Sequence, residues 1–375
     1  MGSLPIPFIS TYHLTITFVS TIIGVGILTL PRVAGEKLGT PDVWIEVILS
    51  GIISFLAVCI CLYLSNRFPQ ETLYHYNKRI VGKILGAVIS LLYIVHYLFY
   101  SAYEARVQAE AVRHYLLDQT PIEVTILAFL LVGVYLTTGG LPAIVRISVF
   151  YFPITLVIIF SIVLLNWQNF KLDNLRPVME FGPLPLASSL LSTSQAFSGV
   201  EVVLFFLAYT KEARKALRPL LLGTALVTLI YMITVMMVIG SLTLEETKTL
   251  TWPTMEFVKQ IEFPGAFFEH FEIFFISIWL LNMFTTFFVD LYLASFGISL
   301  LFGWNIRPVM LGLVPVLYVI ASLPKDLNEV MRLSNLLGTT SVFASLVIPG
   351  VLLFLSVLLG KRNDNSRMAK AGKEG

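Results

Sequence analysis

The stretch Ser20-Thr21-Ile22-Ile23-Gly24-Val25-Gly26-Ile27-Leu28-Thr29-Leu30-Pro31 decides the fold. It is apolar enough to lie in lipid, yet Gly24-Val25-Gly26 interrupts it, and glycine lowers the cost of leaving the helical conformation. In hydrocarbon an unwound turn exposes amides and carbonyls that cost several kcal/mol each unless polar groups satisfy them. Irregular backbone therefore survives at that depth only where it lines a cavity. The half-helix starting at Ile27 then offers free N–H groups and a positive dipole end suited to a carboxylate, while the carbonyls ending the preceding half suit an ammonium. An amino acid carries both. Small residues also serve simply to let neighbouring helices approach, so the break needs support from the rest of the chain.

The 375 residues are 57% hydrophobic and 13% charged, about half the charged share of a soluble domain. Apolar runs near the length needed to cross the bilayer recur throughout. They predict an all-α polytopic membrane protein with ten transmembrane helices, at about 11–34, 43–65, 84–116, 122–138, 144–165, 186–208, 217–241, 269–302, 306–323 and 333–360. Helices three and eight exceed a perpendicular crossing and are expected to tilt or project. No sizeable soluble domain is left: 1–360 reads as a single bundle and 361–375 as a polar, disordered tail. Met1 to Thr11 has no Lys or Arg and no small-residue cleavage site, so the first helix is expected to be retained.

Cutting the chain after helix five gives repeat one, about 11–165, and repeat two, about 186–360. Helix six, first of the second half, is interrupted at Ser198-Gly199-Val200. Interruptions at matching positions of two halves point to a binding site. Because five is odd, the second half enters from the opposite side, giving an inverted repeat.

Loop charge sets the orientation. With the N-terminus inside, the inner loops hold Arg67, Lys78, Arg79 and Lys83, then Arg146, then Lys211, Arg214, Lys215 and Arg218, then Arg307, with Lys361, Arg362, Arg367, Lys370 and Lys373 in the tail. Outer loops are sparser in Lys and Arg, so both termini are predicted cytoplasmic. The outer loop 241–268 places Leu244, Met255, Phe257, Val258 and Ile261 between polar residues, as a short amphipathic capping helix would.

The first-helix run resembles that of the amino acid-polyamine-organocation superfamily, whose members share the LeuT-type fold of two inverted five-helix repeats. More narrowly, the chain resembles the spore-permease family, the B subunits of GerA-type nutrient germinant receptors. The first-helix run, Ala196-Phe197-Ser198-Gly199-Val200-Glu201, the basic loop Lys211-Glu212-Ala213-Arg214-Lys215 and the length with ten spans carry that resemblance. It implies a receptor subunit in the spore inner membrane that senses an amino acid, with an A subunit and a lipoprotein C subunit as partners. A permease cycling the same ligand, and a scaffold with a vestigial pocket, are the other readings. No nucleic-acid partner is expected.

The expected ligand site comprises Gly24, Val25, Gly26 and Ile27 at the first break and Phe197, Ser198, Gly199 and Val200 at the second. In helix eight Asn282, Thr285 and Thr286 interrupt an apolar run, with 282 and 286 on one face. The fold packs that helix on the broken first one, where hydroxyls meet the ligand ammonium or a sodium ion; no other cofactor is implied. No Lys sits mid-helix in the fifth span, where some proton-coupled relatives place one, which leaves the coupling ion open. Tyr97, Ser101 and Glu104 share a face of helix three, and a helix-three aromatic closes the pocket in similar folds. Glu104 and Glu201, ionisable groups inside a bundle, are expected on a polar path. Alternatively Glu104 joins a charge ladder with Arg106, Glu110 and Arg113. His96 and Asp290 are further candidates that adjoin no predicted break.

Catalysis is not expected: no phosphate loop, paired-histidine metal motif or nucleophile elbow stands in a fitting context. Cys59 and Cys61, two apart on a helix, point to different sides, which favours packing over a disulfide or metal site.

Overall fold

A computed structural model describes residues 8–180, 182, 184–261 and 271–363. Helices α1 (Thr11–Ile22) and α2 (Gly26–Leu38) form the first span, bent by 51° at the break. There follow α3 (Val43–Arg67), α4 (Leu73–Val81), α5 (Lys83–Tyr115), α6 (Ile122–Thr137) and α7 (Gly140–Leu165). The second half runs through α8 (Leu184–Ser189), α9 (Val203–Phe206), α10 (Leu217–Leu242), α11 (Leu244–Thr249), α12 (Pro253–Lys259), α13 (Phe271–Phe302), α14 (Ile306–Ser322), α15 (Leu327–Val342) and α16 (Ile348–Leu358). Among the described residues the sole extended pairing is a parallel bridge between Ile9 and Thr210. It joins the foot of α1 to the segment after α9: Ile9 N donates to Tyr209 O (2.8 Å) and Lys211 N to Ile9 O (3.0 Å).

Among the described residues six helices are long and apolar enough to cross a membrane, seven if the bent first pair is one span. The shorter apolar segments Ile122–Thr137, Val200–Tyr209 and Ile306–Ser322 lie at expected positions four, six and nine. At about 1.5 Å per residue they fall short of a core of about 30 Å, so length alone supports fewer spans than the ten read from the sequence.

The freed backbone groups show how the bundle tolerates its irregularities. Pro31 lies inside α2 and cannot donate to the carbonyl four residues back; that carbonyl, Ile27 O, accepts instead from Thr254 Oγ1 at 2.8 Å. The expected capping segment is thus α11 and α12 together, anchored by this bond and by burial of Leu244, Met255, Phe257, Val258 and Ile261. Likewise Pro349 follows a π-helical turn over Phe343–Val347. The Ser345 carbonyl there accepts from the Cys61 thiol (3.2 Å), and Ala344 O accepts from Tyr93 OH. Cys61 is buried and free, a packing residue with one weak donor to give.

Helix six departs furthest from expectation. Instead of a helix over 186–208 broken at 198–200, helical bonding stops at Ser189 and the chain turns until Gly199 before 3-10 turns, with α9 between them, close the span. The cause is the run Ser192-Thr193-Ser194-Gln195, whose hydroxyls compete for backbone acceptors. Thr193 Oγ1 donates to Leu190 O (3.1 Å) and Ser194 Oγ to Leu191 O (2.6 Å). Ser192 Oγ also donates to Glu46 Oε1 of α3 (2.7 Å).

Two further differences concern short segments. α4, nine residues and unforeseen, is held by Asn77 Nδ2 donating to Gly86 O (3.0 Å) and Tyr74 OH to Leu293 O (3.1 Å). The first residues of the expected disordered tail are fastened: Lys361 Nζ donates to Ile80 O (2.9 Å) and Asn363 Nδ2 to Glu71 Oε1 (2.8 Å). The remainder of the tail, 364–375, lies outside the described residues.

Tyr231 of α10 supports both breaks, its hydroxyl lying 2.7 Å from Ile22 O and 3.0 Å from Ala196 O. Tyr231→Phe is expected to lower unfolding stability in detergent by about 1–3 kcal/mol, the cost of a stranded buried polar group. Thermal denaturation indistinguishable from the parent protein would reject this role.

Candidate functional site

A helix ends with its last carbonyls unsatisfied, and at the end of α1 four consecutive ones are met by side chains from other helices. Thr285 Oγ1 donates to Ser20 O (3.3 Å), sharing its proton with Asn282 O (2.6 Å), and Thr286 Oγ1 donates to Thr21 O (3.1 Å). Tyr231 serves Ile22 O, and Asn282 Nδ2 donates to Ile23 O. Thr155 Oγ1 of α7 orients that amide by donating to Asn282 Oδ1 (3.2 Å). The polar interruption of α13 therefore holds the first break open.

Between the breaks lies a cleft so narrow that it holds about one water. Thr21, Ile22, Gly24, Val25 and Gly26 line it from the first break, and Gln195, Ser198 and Gly199 from the second. Tyr100 and Glu104 of α5 and Thr286 and Asp290 of α13 complete it. The glycines answer to contact. A Cβ on Gly24 would stand 2.7 Å from Thr286 Oγ1 and 3.3 Å from Glu104 Oε1, and one on Gly26 would stand 2.7 Å from Ala196 Cα. Gly199 has φ +107°, a conformation that L side chains rarely adopt.

The buried carboxyls divide. Glu104 faces the Val25 amide, and its Oε2 has no partner. Asp290 Oδ2 likewise has none. Glu201 turns back on the second break, with Oε2 accepting Gly199 N–H (3.2 Å) and Oε1 lying 3.3 Å from His96 Nε2. His96 Nδ1 in turn lies 3.0 Å from Thr340 Oγ1. The charge ladder forms without Glu104, since Arg106 and Arg113 meet Glu110 at 2.9 and 3.2 Å.

Seven of the expected residues line the cleft: Gly24, Val25, Gly26, Ser198, Gly199, Thr286 and Glu104. Asn282 and Thr285 stand behind it on the carbonyls. Ile27 is one residue beyond, its carbonyl on Thr254. On α5 the face toward the cleft carries Tyr100 and Glu104, one turn apart, rather than Tyr97. Tyr97 packs against Tyr93 and Phe205, and Ser101 Oγ donates to Tyr97 O at 2.8 Å. Phe197 stands edge-on to Tyr231 at 5.3 Å. With Val200 it borders a separate apolar chamber toward α3 and the π turn, shared with Ile53, Ser341 and Leu346. The partition is polar: Ser198 Oγ lies 2.6 Å from Ser341 Oγ, which donates to Tyr100 OH (3.2 Å). Thr21, Ile22 and Gln195 were not anticipated; the Ser/Thr run beside Gln195 was the available signal.

Comparison with known proteins agrees with this architecture. The pattern of a family described as "Spore germination protein" matches residues 8–330. Spore germination protein YndE of Bacillus subtilis (strain 168) is 38% identical over 352 residues, 94% of this chain and 97% of that one. Spore germination proteins A2 and B2 of the same organism are 36% and 32% identical, covering 92% and 90% of this chain and 92–93% of their own lengths. Among solved structures, MhsT in complex with L-phenylalanine superposes with TM-score 0.74 at 11% identity, over 95% of this chain and 90% of that one. Mhp1, a nucleobase-cation-symport-1 family transporter, superposes with TM-score 0.67 at 14% identity, over 92% and 77%.

Gly26→Ala is expected to push α2 off the unwound segment and cost about 1–3 kcal/mol, whereas Gly350→Ala, where a Cβ meets nothing within 4 Å, leaves stability unchanged or raised. Equal melting temperatures for the two variants would show that the close approach carries no weight.

Proposed function

The chain belongs to the spore germination protein family, and from that premise we propose that it is the ligand-sensing membrane subunit of a nutrient germinant receptor. It binds a small germinant, an amino acid such as L-alanine, between the two breaks and signals to an A subunit and a lipoprotein C subunit. The observation that carries the reading is the cleft itself: two unwound segments from opposite halves meet there with polar side chains of α5 and α13. Irregular backbone at membrane depth serves a polar occupant.

Sensing requires a ligand to favour one of two arrangements. The cleft as it stands is too narrow for an amino acid, so binding selects an arrangement in which its walls have parted. The contacts that yield are the Ser198–Ser341 bond and the Ser341–Tyr100 bond beside it. Partner subunits then read the rearranged helices. Neither a catalytic step nor sodium coupling enters this reading: Thr285 and Thr286 give their protons to the carbonyls that a cation there would need as ligands. The ten-span arrangement in the spore inner membrane, with both termini inside, belongs to the same proposal and follows loop charge.

A permease is the second reading, favoured by the fold shared with a named transporter. Purified protein in proteoliposomes separates the two. The sensor is expected to bind a labelled amino acid saturably without counterflow. Robust counterflow replaces it with a permease, and no binding across the twenty amino acids rejects the amino acid as ligand.

A further inference from the structure

The polar groups around the cleft are unequally engaged. The carbonyls of residues 20 to 23 are served by Thr285, Thr286, Tyr231 and Asn282. The Val25 amide faces Glu104, and the Gly199 amide is taken by Glu201. The four carbonyls expected to meet a ligand ammonium are thus already engaged by the chain's own side chains. Glu104 puts a carboxylate where a ligand carboxylate was expected.

Among the described cleft-lining side chains, the buried atoms without a partner are acidic. Glu104 Oε2 and Asp290 Oδ2 are buried and unbonded, on side chains only 2% and 4% exposed, and both residues line the cleft. They come from α5 and α13, which pack along each other. Among the described residues no Lys, Arg or His lines the cleft. The nearby bases are spent: Arg106 on Glu110 and the Ala321 carbonyl, His96 between Glu201 and Thr340. Buried carboxyl oxygens lacking donors are costly. An ammonium group supplies three donors and the missing positive charge at once, whereas a carboxylate placed beside two acids adds repulsion.

Resting on the cleft as the ligand site, we propose that the ligand is recognised through a primary ammonium group held between Glu104 and Asp290. The class it takes is then primary amines, among which an amino acid is bound by its amine end and its carboxylate is dispensable. Gly24 serves this arrangement by leaving space for the Glu104 carboxyl and the Thr286 hydroxyl at the break.

The test is a binding titration of the purified full chain in detergent, followed by tryptophan fluorescence and thermal stabilisation. The probes are alanine, leucine and their carboxamides, N-acetyl derivatives, and ethylamine. The carboxamides are expected to bind at least as tightly as the parent amino acids, and the N-acetyl derivatives at least tenfold more weakly. Glu104→Gln and Asp290→Asn should each weaken carboxamide binding at least tenfold; the wild-type panel decides the matter even where a variant fails to fold. N-acetyl derivatives binding as well as the free amines, or amino acids binding while their carboxamides do not, overturn the ammonium site and leave the germinant reading standing. Amines binding while amino acids do not keep the ammonium site and reject the amino acid as ligand. No binding by any probe overturns both.

Discussion

Four carbonyls at the end of one short helix organise the centre of this protein. Residues 20 to 23 lose their helical partners where the first span unwinds, at a depth where water cannot replace them. Each is instead met by a hydroxyl or amide carried in from α10 or α13. Those donors fix where α13 and α10 sit against the break, and α13 carries Asp290 to the cleft one turn beyond Thr286. The position of the acidic groups is in this sense a by-product of satisfying the backbone. A helix that merely kinked around its glycines would need none of these donors.

The same economy recurs away from the cleft. At Pro31 and at the π turn before Pro349 a specific neighbour supplies a proton to the freed carbonyl: Thr254 for Ile27, Cys61 for Ser345, Tyr93 for Ala344. These bonds tie the capping segment to α2, and α3 and α5 to the π turn. The irregular points of the chain are therefore also its points of cross-connection. Displacement at one irregularity cannot remain local, because the donor that satisfies it belongs to another helix.

Much of this was legible in the residues. Period and length located the apolar segments, and Gly24-Val25-Gly26 marked the first break to within a residue. The spacing of Asn282 and Thr286 gave their common face, with Thr285 beside it, though not that their protons go to backbone rather than to an occupant. Tyr231 was invisible because a lone aromatic in an apolar run reads as packing. The unwound stretch through 190–199 is longer than its glycine indicates because the serine and threonine run, a weaker signal, dissolves the helix. On α5, Tyr97 and Tyr100 sit three residues apart, a rotation that only the neighbouring helices can decide. Glu104 escaped the charge ladder for a geometric reason: two residues before Arg106 it points to another side of the helix, while Arg106 and Arg113 both pair with Glu110 at four- and three-residue spacing.

The bridge between Ile9 and Thr210 fastens the foot of the first span to the foot of the sixth. The halves of the two interrupted spans on the side of α1 and α9 are thus joined like the arms of tweezers at their closed end. Arms pinned at one end can separate only at the other, so widening falls to α2 and the turns between Ser189 and Gly199, while α1 and α9 travel as a unit. The direction in which the cavity can gape is set by two backbone hydrogen bonds at the far edge of the molecule.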